Sequence, residues 1–240
     1  MVAGPAPADT PVPPVVARLA AGATVRVVWC NERDGLTFEL GEGDARRFAK
    51  WTPRGNGIDL LAEAERLAWA AQFTPVPRVL DAGEETDGSW LLTAAIEGES
   101  AVSPRWRAEP ARAVAAVGAG LRALHDALPV AGCPFSWSAQ ERIALARGPI
   151  EPPPPVDALV VCHGDACAPN TLLDADGSWC GHVDLGRLGV ADRWADLAIA
   201  TWSTEWNYGP GWEEPLLEAY GVEPDAERTA YYRQLWDLGP

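Results

Sequence analysis

Lysine is almost missing from this chain: of its 19 cationic side chains, 18 are arginine and one, Lys50, is lysine. Positive charge is scarce altogether, because 34 Asp plus Glu stand against those 19 and leave a formal charge of −15 over 240 residues. An acidic surface repels phosphate backbones, which argues against nucleic acid as a partner and suits a cationic small ligand. Drift towards arginine in a GC-rich genome accounts for the shortage of lysine but not for the one that remains. Cysteine is present in an odd number, five, with no C-x-x-C pair. That pattern excludes a disulfide framework and a zinc site, and points to reduced thiols in a cytoplasmic protein. No apolar run approaches the length of a membrane span. The N-terminus, MVAGPAPADTPVPPVV, has neither a basic start nor a long apolar stretch, so it does not read as a signal peptide. Five prolines in its first 14 residues predict a flexible tail over residues 1–20.

What is present is ordinary globular composition, 48% hydrophobic and 22% charged. VRVVW, LTFEL and RFAKW are short β-branched or aromatic runs separated by polar turns, and they predict strands. IDLLAEAERLAWAAQF carries Leu60, Ala64, Leu67 and Ala71 at helical spacing. Two more strands are expected around the turn at Asp87-Gly88. These elements form a small sheet with one inserted helix in an N-terminal region, 21–97. The second region, 98–240, opens with an Ala- and Leu-rich helix from Glu109 to Ala127. A proline-dense loop follows at Gly148–Pro155, then LVVCHGD, a hairpin in TLLDADGSWCGHVD and a helical, tryptophan-rich tail.

The chemistry is concentrated in that second region. His163-Gly164-Asp165 is followed by Asn170, and fourteen residues later comes Asp184-Leu185-Gly186. An Asp and an Asn five apart on a short loop, with a second Asp on a neighbouring hairpin, suit phosphoryl transfer. Asp165 can orient a substrate hydroxyl and accept its proton. The Asn170 amide oxygen and the Asp184 carboxylate are hard oxygen ligands for Mg²⁺. Either triplet alone is a weak signal; both in this order are a strong one. His163 reads as a structural hydrogen-bonding residue, His125 as a packed histidine at a helix end, and His182 as facing across a strand. Asp196 reads as structural, and Trp202, Trp206 and Trp212 as candidates to line a pocket.

VVCHGDACAPN, VDLGRLGVADRWADLA and YGVEPDAERTAYYRQLWD together resemble the kinase-like antibiotic phosphotransferases. The likeness is greatest to aminoglycoside 3'-phosphotransferases, with streptomycin 3''-phosphotransferases sharing nearly the same phrases. It covers about Val25 to Asp237. The resemblance implies an α+β, protein-kinase-like bilobal fold. It also implies phosphorylation of an aminoglycoside hydroxyl, the 3'-hydroxyl favoured, that confers resistance by inactivating the drug. ATP would be the donor, with GTP left open, and Mg²⁺ the metal. Lys50 falls where the family has a strand lysine on the nucleotide phosphates, paired with a helix glutamate, here Glu63; Glu65 lies on another face. A Walker P-loop is excluded because Ala49 precedes Lys50 and Trp51 follows it. CNERDGLTF would cover the phosphates, with Gly35 as its one glycine, and the backbone of Ala94 to Ile96 would hold the adenine.

Arg187, Asp192 and Asp237 are the expected substrate contacts. From Asp192 to the end there are ten Asp or Glu against three Arg, which suits a cationic sugar. The segment SWSAQERIALARGPIEPPPPVDAL is shorter than the relatives' pocket wall. The chain ends Leu235-Trp236-Asp237-Leu238-Gly239-Pro240 in place of their acidic, aromatic tail. A kinase of another amino or hydroxyl metabolite and a nucleotide-binding module without turnover are the competing readings. A monomer or weak dimer is expected.

Overall fold

The computed structural model describes residues 4–238. The first three residues of the expected tail, and Gly239 and Pro240 of the unusual C-terminus, lie outside the described residues. The chain divides into two compact units, one made of residues up to Gln72 together with Val76–Ile96, the other of Phe73–Pro75 and residues from Glu97 onward.

The first unit is built on a five-stranded antiparallel sheet of order β1-β2-β3-β5-β4. Its strands are β1 (Val25–Cys30), β2 (Leu36–Leu40), β3 (Arg47–Pro53), β4 (Val79–Glu85) and β5 (Gly88–Ala94). Alternation in β3 sends Ala49 to one face and Lys50 to the other. On the Ala49 face, Phe38, Leu40, Ala49 and Leu92 form a buried cluster with Val15, Val16 and Ala20. Those last three belong to a helix, α1 (Pro14–Ala20). Part of the segment expected as a flexible tail is therefore structural. Pro14 occupies the first helical turn, where its missing N–H is harmless, and Val15 and Val16 have apolar sheet to cover. Further upstream, Gly4 exchanges two backbone hydrogen bonds with Cys30.

A second helix, α2 (Leu60–Ala70), starts where Asp59 caps it by accepting from the Ala62 N–H at 2.8 Å. Its buried stripe is Leu60, Glu63, Leu67 and Ala70, spacings of three and four that keep one face inward. A glutamate within such a stripe needs a partner.

The second unit is mainly helical: α3 (Pro104–Arg107), α4 (Pro110–Ala127), α5 (Ala139–Ala144), α6 (Trp194–Tyr208), α7 (Glu213–Tyr220) and α8 (Ala226–Leu238). Two small antiparallel sheets accompany the helices. One orders β6 (Glu99–Ser100), β8 (Thr171–Leu173) and β9 (Trp179–His182); the other pairs β7 (Leu159–Cys162) with β10 (Gly189–Asp192). Among the described residues no disulfide is formed; Cys30 and Cys162 are buried and Cys133, Cys167 and Cys180 partly so. Among the described residues no helix is long and apolar enough to cross a membrane.

Candidate active site

In the first unit, the Lys50 Nζ donates to Glu63 Oε1 at 2.6 Å. β3 presents Lys50 on the face that α2 covers, and the buried stripe of α2 presents Glu63 back to it. The Lys50 side chain keeps 25% of its exposure and Glu63 only 6%, so the ammonium is the accessible member of the pair. Glu65 points to solvent.

Gly35 does not play the part expected of it. Asn31 organises the turn: its Oδ1 accepts from the N–H groups of Arg33 (3.0 Å) and Gly35 (2.8 Å), and its carbonyl accepts from Asp34 (3.3 Å). The Gly35 N–H is thus turned inward. A side chain at 35 would collide with the Asn31 amide, 2.4 Å from its Nδ2, so the glycine makes room for Asn31 rather than for a phosphate. Farther along, the Ala94 N–H is bonded to the Arg78 carbonyl and the Ile96 carbonyl accepts from the Arg46 guanidinium at 3.1 Å. The Ile96 N–H has no hydrogen bond among the described residues.

In the second unit, β7 leads into the loop that carries His163, Gly164 and Asp165. Asp196, in the first turn of α6 and fully buried, anchors that loop. Its Oδ2 accepts from the His163 N–H (2.6 Å) and bonds His125 Nε2 (3.0 Å), and its Oδ1 accepts from the Gly164 N–H (2.9 Å). Burial alone would raise the pKa of Asp196. The hydrogen bond and charge of His125, with the loop N–H groups, outweigh burial and hold it below the usual carboxylate range. His125 in turn meets the Tyr220 hydroxyl at 2.8 Å through Nδ1. His125, Cys162 and Asp196 bring ligand-type atoms within 4.8 Å of one another. Hydrogen bonding accounts for the cluster, because Cys162 also donates to the Asp192 carbonyl.

Gly164 has φ +83°, and a Cβ there would sit 2.1 Å from the Arg187 carbonyl oxygen. Only glycine fits both the dihedral and the contact. The His163 Nδ1 accepts from the Asp165 N–H at 3.3 Å, so Nε2 carries the proton and donates to the Val183 carbonyl at 2.9 Å. His163 is therefore a fully buried brace between the loop and the segment after β9. His182 accepts from Trp179 Nε1 (3.1 Å), and burial, then the neighbouring His163, push its pKa well below that of a free histidine.

Asn170 donates through Nδ2 to the Asp165 carbonyl at 2.9 Å, which leaves its amide oxygen pointing away from the loop. Its own carbonyl accepts from the Val183 N–H, tying the loop to Asp184 one residue on. Asp184 is exposed and held at φ +67°, a left-handed conformation that a non-glycine residue rarely adopts. Burial, then the like charge of Asp184, raise the carboxyl of Asp165; His163, Cys167 and Arg187 oppose the shift. Two neighbouring carboxylates and an amide oxygen, without enough local positive charge to offset them, form a donor set that fits a hard divalent cation.

The three expected substrate contacts separate. Arg187 is exposed, with its guanidinium 5.4 Å from the Trp236 ring centroid. Asp237 is exposed in the last turn of α8, where its carbonyl accepts from Arg147. Asp192 is different: its carboxylate is 1% exposed and accepts from the N–H groups of Asp157 (2.9 Å) and Trp194 (3.1 Å). It holds the start of α6, and its oxygens are closed to a ligand. Trp202 and Trp206 meet with centroids 5.0 Å apart and ring planes tilted by 43°, and Arg233 lies over Trp202. A cavity of about 420 Å³ bounded by Trp137, Pro153–Val156, Leu159 and Tyr232 contains none of Asp165, Asn170 or Asp184.

A kinase-type lysine–glutamate pair in the first unit and an Asp-Asn-Asp set in the second are each features of a phosphotransferase. The phosphotransferase enzyme family profile matches residues 16–152 and 139–232, and the chain belongs to that family. It is 36% identical to a streptomycin 3''-kinase of Streptomyces griseus, over 80% of this chain and 84% of the relative. It is 35% identical to an aminoglycoside 3'-phosphotransferase of Streptomyces fradiae, over 79% and 83%. Among solved structures, an aminoglycoside phosphotransferase, APH(3'')-Id, from Streptomyces rimosus, in complex with ADP and streptomycin, superposes with a TM-score of 0.70 at 29% identity, covering 93% of this chain and 98% of that one.

Sequence reasoning left out Asn31 as the organiser of its turn and Ser203, whose hydroxyl oxygen accepts from the Ala168 N–H behind the loop. Asn31 had a signal, being an Asn at a turn. Ser203 had none, because its meeting with the loop depends on where α6 packs.

Proposed function

We propose that the chain transfers the γ-phosphoryl group of ATP to a hydroxyl of an aminoglycoside, the 3'-hydroxyl favoured, and so inactivates the drug. The observation that carries the reading is the pair Asp165 and Asn170 on a loop anchored by the buried Asp196, with the segment of Asp184 tied to that loop through Val183. Asp165 holds the acceptor hydroxyl and takes its proton late in transfer. The Asn170 amide oxygen and the Asp184 carboxylate are the residues that would hold Mg²⁺, which when bound neutralises charge on the transferring phosphoryl group. In the first unit, Lys50, oriented by Glu63, binds the nucleotide phosphates, and the Ile96 N–H with the main chain at Ala94 takes the adenine edge. Because the Gly35 N–H is bonded to Asn31, phosphate binding in that unit rests on Lys50 more than on the turn.

The acceptor is polycationic on this reading. Arg187 and Asp237 are the exposed residues proposed to meet it, beside the acidic C-terminal helices. A streptomycin-type 3''-phosphotransferase is the second reading, favoured by the 3''-acting relative and by the ADP–streptomycin complex of the S. rimosus enzyme. Cytoplasmic action follows from the use of ATP.

ADP release from Mg·ATP, measured across a panel of kanamycin-, neomycin- and streptomycin-type acceptors, separates these. Turnover with 2-deoxystreptamine drugs supports the first reading and turnover with streptomycin alone the second. Tight ATP binding with no acceptor-dependent ADP sinks both.

A further inference from the structure

Tyr220 ends α7, is 2% exposed, and is bonded towards the loop of Asp165 without being part of it. Its hydroxyl meets Nδ1 of His125, on α4, at 2.8 Å, and the two rings meet edge to face at 74°. One face of α4 receives α7. Gly118, Arg122 and His125 share that face, being four and three residues apart. At Gly118 a Cβ would sit 2.5 Å from the Leu216 carbonyl oxygen and 3.1 Å from the Tyr220 nitrogen, so a larger residue would push α7 away. Arg122 lies over the Tyr220 ring, its guanidinium held by Asp126 at 2.8 Å. Burial pushes the phenol up to about 12, so the hydroxyl keeps its proton at neutral pH.

The direction of the next contact follows from Asp196. A carboxylate only accepts, so the 3.0 Å contact is a bond donated by His125 Nε2. The oxygen that receives it, Oδ2, also receives the His163 N–H at 2.6 Å. The orientation of the imidazole therefore sets where that oxygen stands, and through it the backbone two residues before Asp165. At its other nitrogen the imidazole has one hydrogen-bond partner among the described residues, the Tyr220 hydroxyl. Without that hydroxyl nothing holds the ring at Nδ1, and a ring protonated there alone would turn a lone pair on Asp196 Oδ2.

We propose that Tyr220 is a positioning residue for phosphoryl transfer: its hydroxyl fixes the His125 imidazole, which holds Asp196 Oδ2 against the His163 N–H and so sets the loop that carries Asp165. It acts only through His125 and Asp196. The proposal rests on the assignment of Asp165 as the group that accepts the hydroxyl proton.

Two measurements test it. Tyr220→Phe keeps the buried ring and removes the hydroxyl alone. In steady-state transfer its kcat falls by about 5-fold or more, part of the roughly 100-fold that a misplacement of about 1 Å can cost. Both KM values stay within about 2-fold, since no substrate contact is lost. Tyr231→Phe is the control: that hydroxyl, on α8, is also buried but has no hydrogen-bond partner among the described residues, so its loss leaves kcat unchanged. An unchanged kcat in Tyr220→Phe, or an equal fall in both variants, overturns the proposal.

The second measurement needs no turnover. In amide NMR spectra of the whole chain, the His163 N–H proton resonates downfield, as a donor to a carboxylate does, and moves upfield in Tyr220→Phe. A resonance that stays in place in the folded variant overturns the proposal. Should that variant fail to fold, 3-fluorotyrosine at position 220 keeps ring and hydroxyl while making the phenol a stronger donor. The His163 resonance then shifts as well, and no shift overturns the proposal. A wild-type chain that phosphorylates no acceptor defeats the functional reading instead, because the amide resonance is read without substrate.

Discussion

A buried carboxylate with three partners is a costly residue to disturb, and Asp196 is the clearest case in this chain. Asp196→Ala strands the N–H groups of His163 and Gly164 and removes a partner of His125. The expected loss is roughly 3–5 kcal/mol of stability, the range for breaking a buried charged network; a urea midpoint within error of the parent would contradict it. Asp165→Asn leaves the fold and nucleotide affinity intact, while kcat falls by about 10²–10⁴, the usual contribution of a positioned general base. Lys50→Arg does not rescue what Lys50→Ala loses in nucleotide KM and kcat, because a planar guanidinium cannot replace a compact ammonium beside Glu63.

His182 gives a pH dependence. Its folded-state pKa lies well below that of a free histidine, about 6.5, so below about pH 6.5 the unfolded chain takes up a proton that the folded chain refuses. The stability tied to His182 is complete above that pH and declines as pH falls towards the folded pKa. Urea midpoints at about pH 7.5 and about pH 5.5 show this decline, and His182→Gln, which keeps an acceptor for Trp179, makes it smaller. An unchanged decline assigns it to other groups.

At the level of elements, the helix α1 carries the sharpest prediction. Val15 and Val16 are buried against the sheet, and fully burying a valine is worth about 1.5–3 kcal/mol. Removing residues 1–20 therefore lowers the unfolding midpoint of the first unit; a truncation that leaves the midpoint unchanged would return the segment to the role of a tail.

Legibility followed the reach of each interaction. The strands β1 to β5, the helices α2 and α4 and the order of the Asp-Asn-Asp residues were legible because local alternation, helical spacing and turn residues encode them. The pairing of Lys50 with Glu63 was legible from the family's lysine–glutamate pattern, with helix phase setting Glu65 aside. Helix α1 was hidden because proline density outweighs two valines until the sheet they cover is known. The buried placement of Asp192 was hidden for a similar reason, since its partners, Asp157 and Trp194, come together through the pairing of β7 with β10. Gly35 was misjudged because a neighbouring side chain, Asn31, uses the N–H that a phosphate would need.

At the scale of the whole molecule, the net charge of −15 is a long-range property, and salt is the way to probe it. For an acceptor carrying several amines, kcat/KM falls as ionic strength rises, while kcat at saturation changes little. A neutral, singly hydroxylated acceptor, if one is accepted at all, shows no such slope. Equal salt dependence for both would mean that the acidity serves solubility and not capture.

The same charge leaves the identity of the acceptor to experiment, and one measurement addresses it most directly. The chain is incubated with Mg·ATP and, in turn, a 3'-hydroxylated aminoglycoside, its 3'-deoxy analogue and streptomycin, and each product is weighed by mass spectrometry. The account predicts that the first acceptor gains one phosphoryl group and its 3'-deoxy analogue none, and that Asp165→Asn abolishes the gain. No phosphoryl gain on any aminoglycoside, with ATP bound and the protein folded, would contradict it.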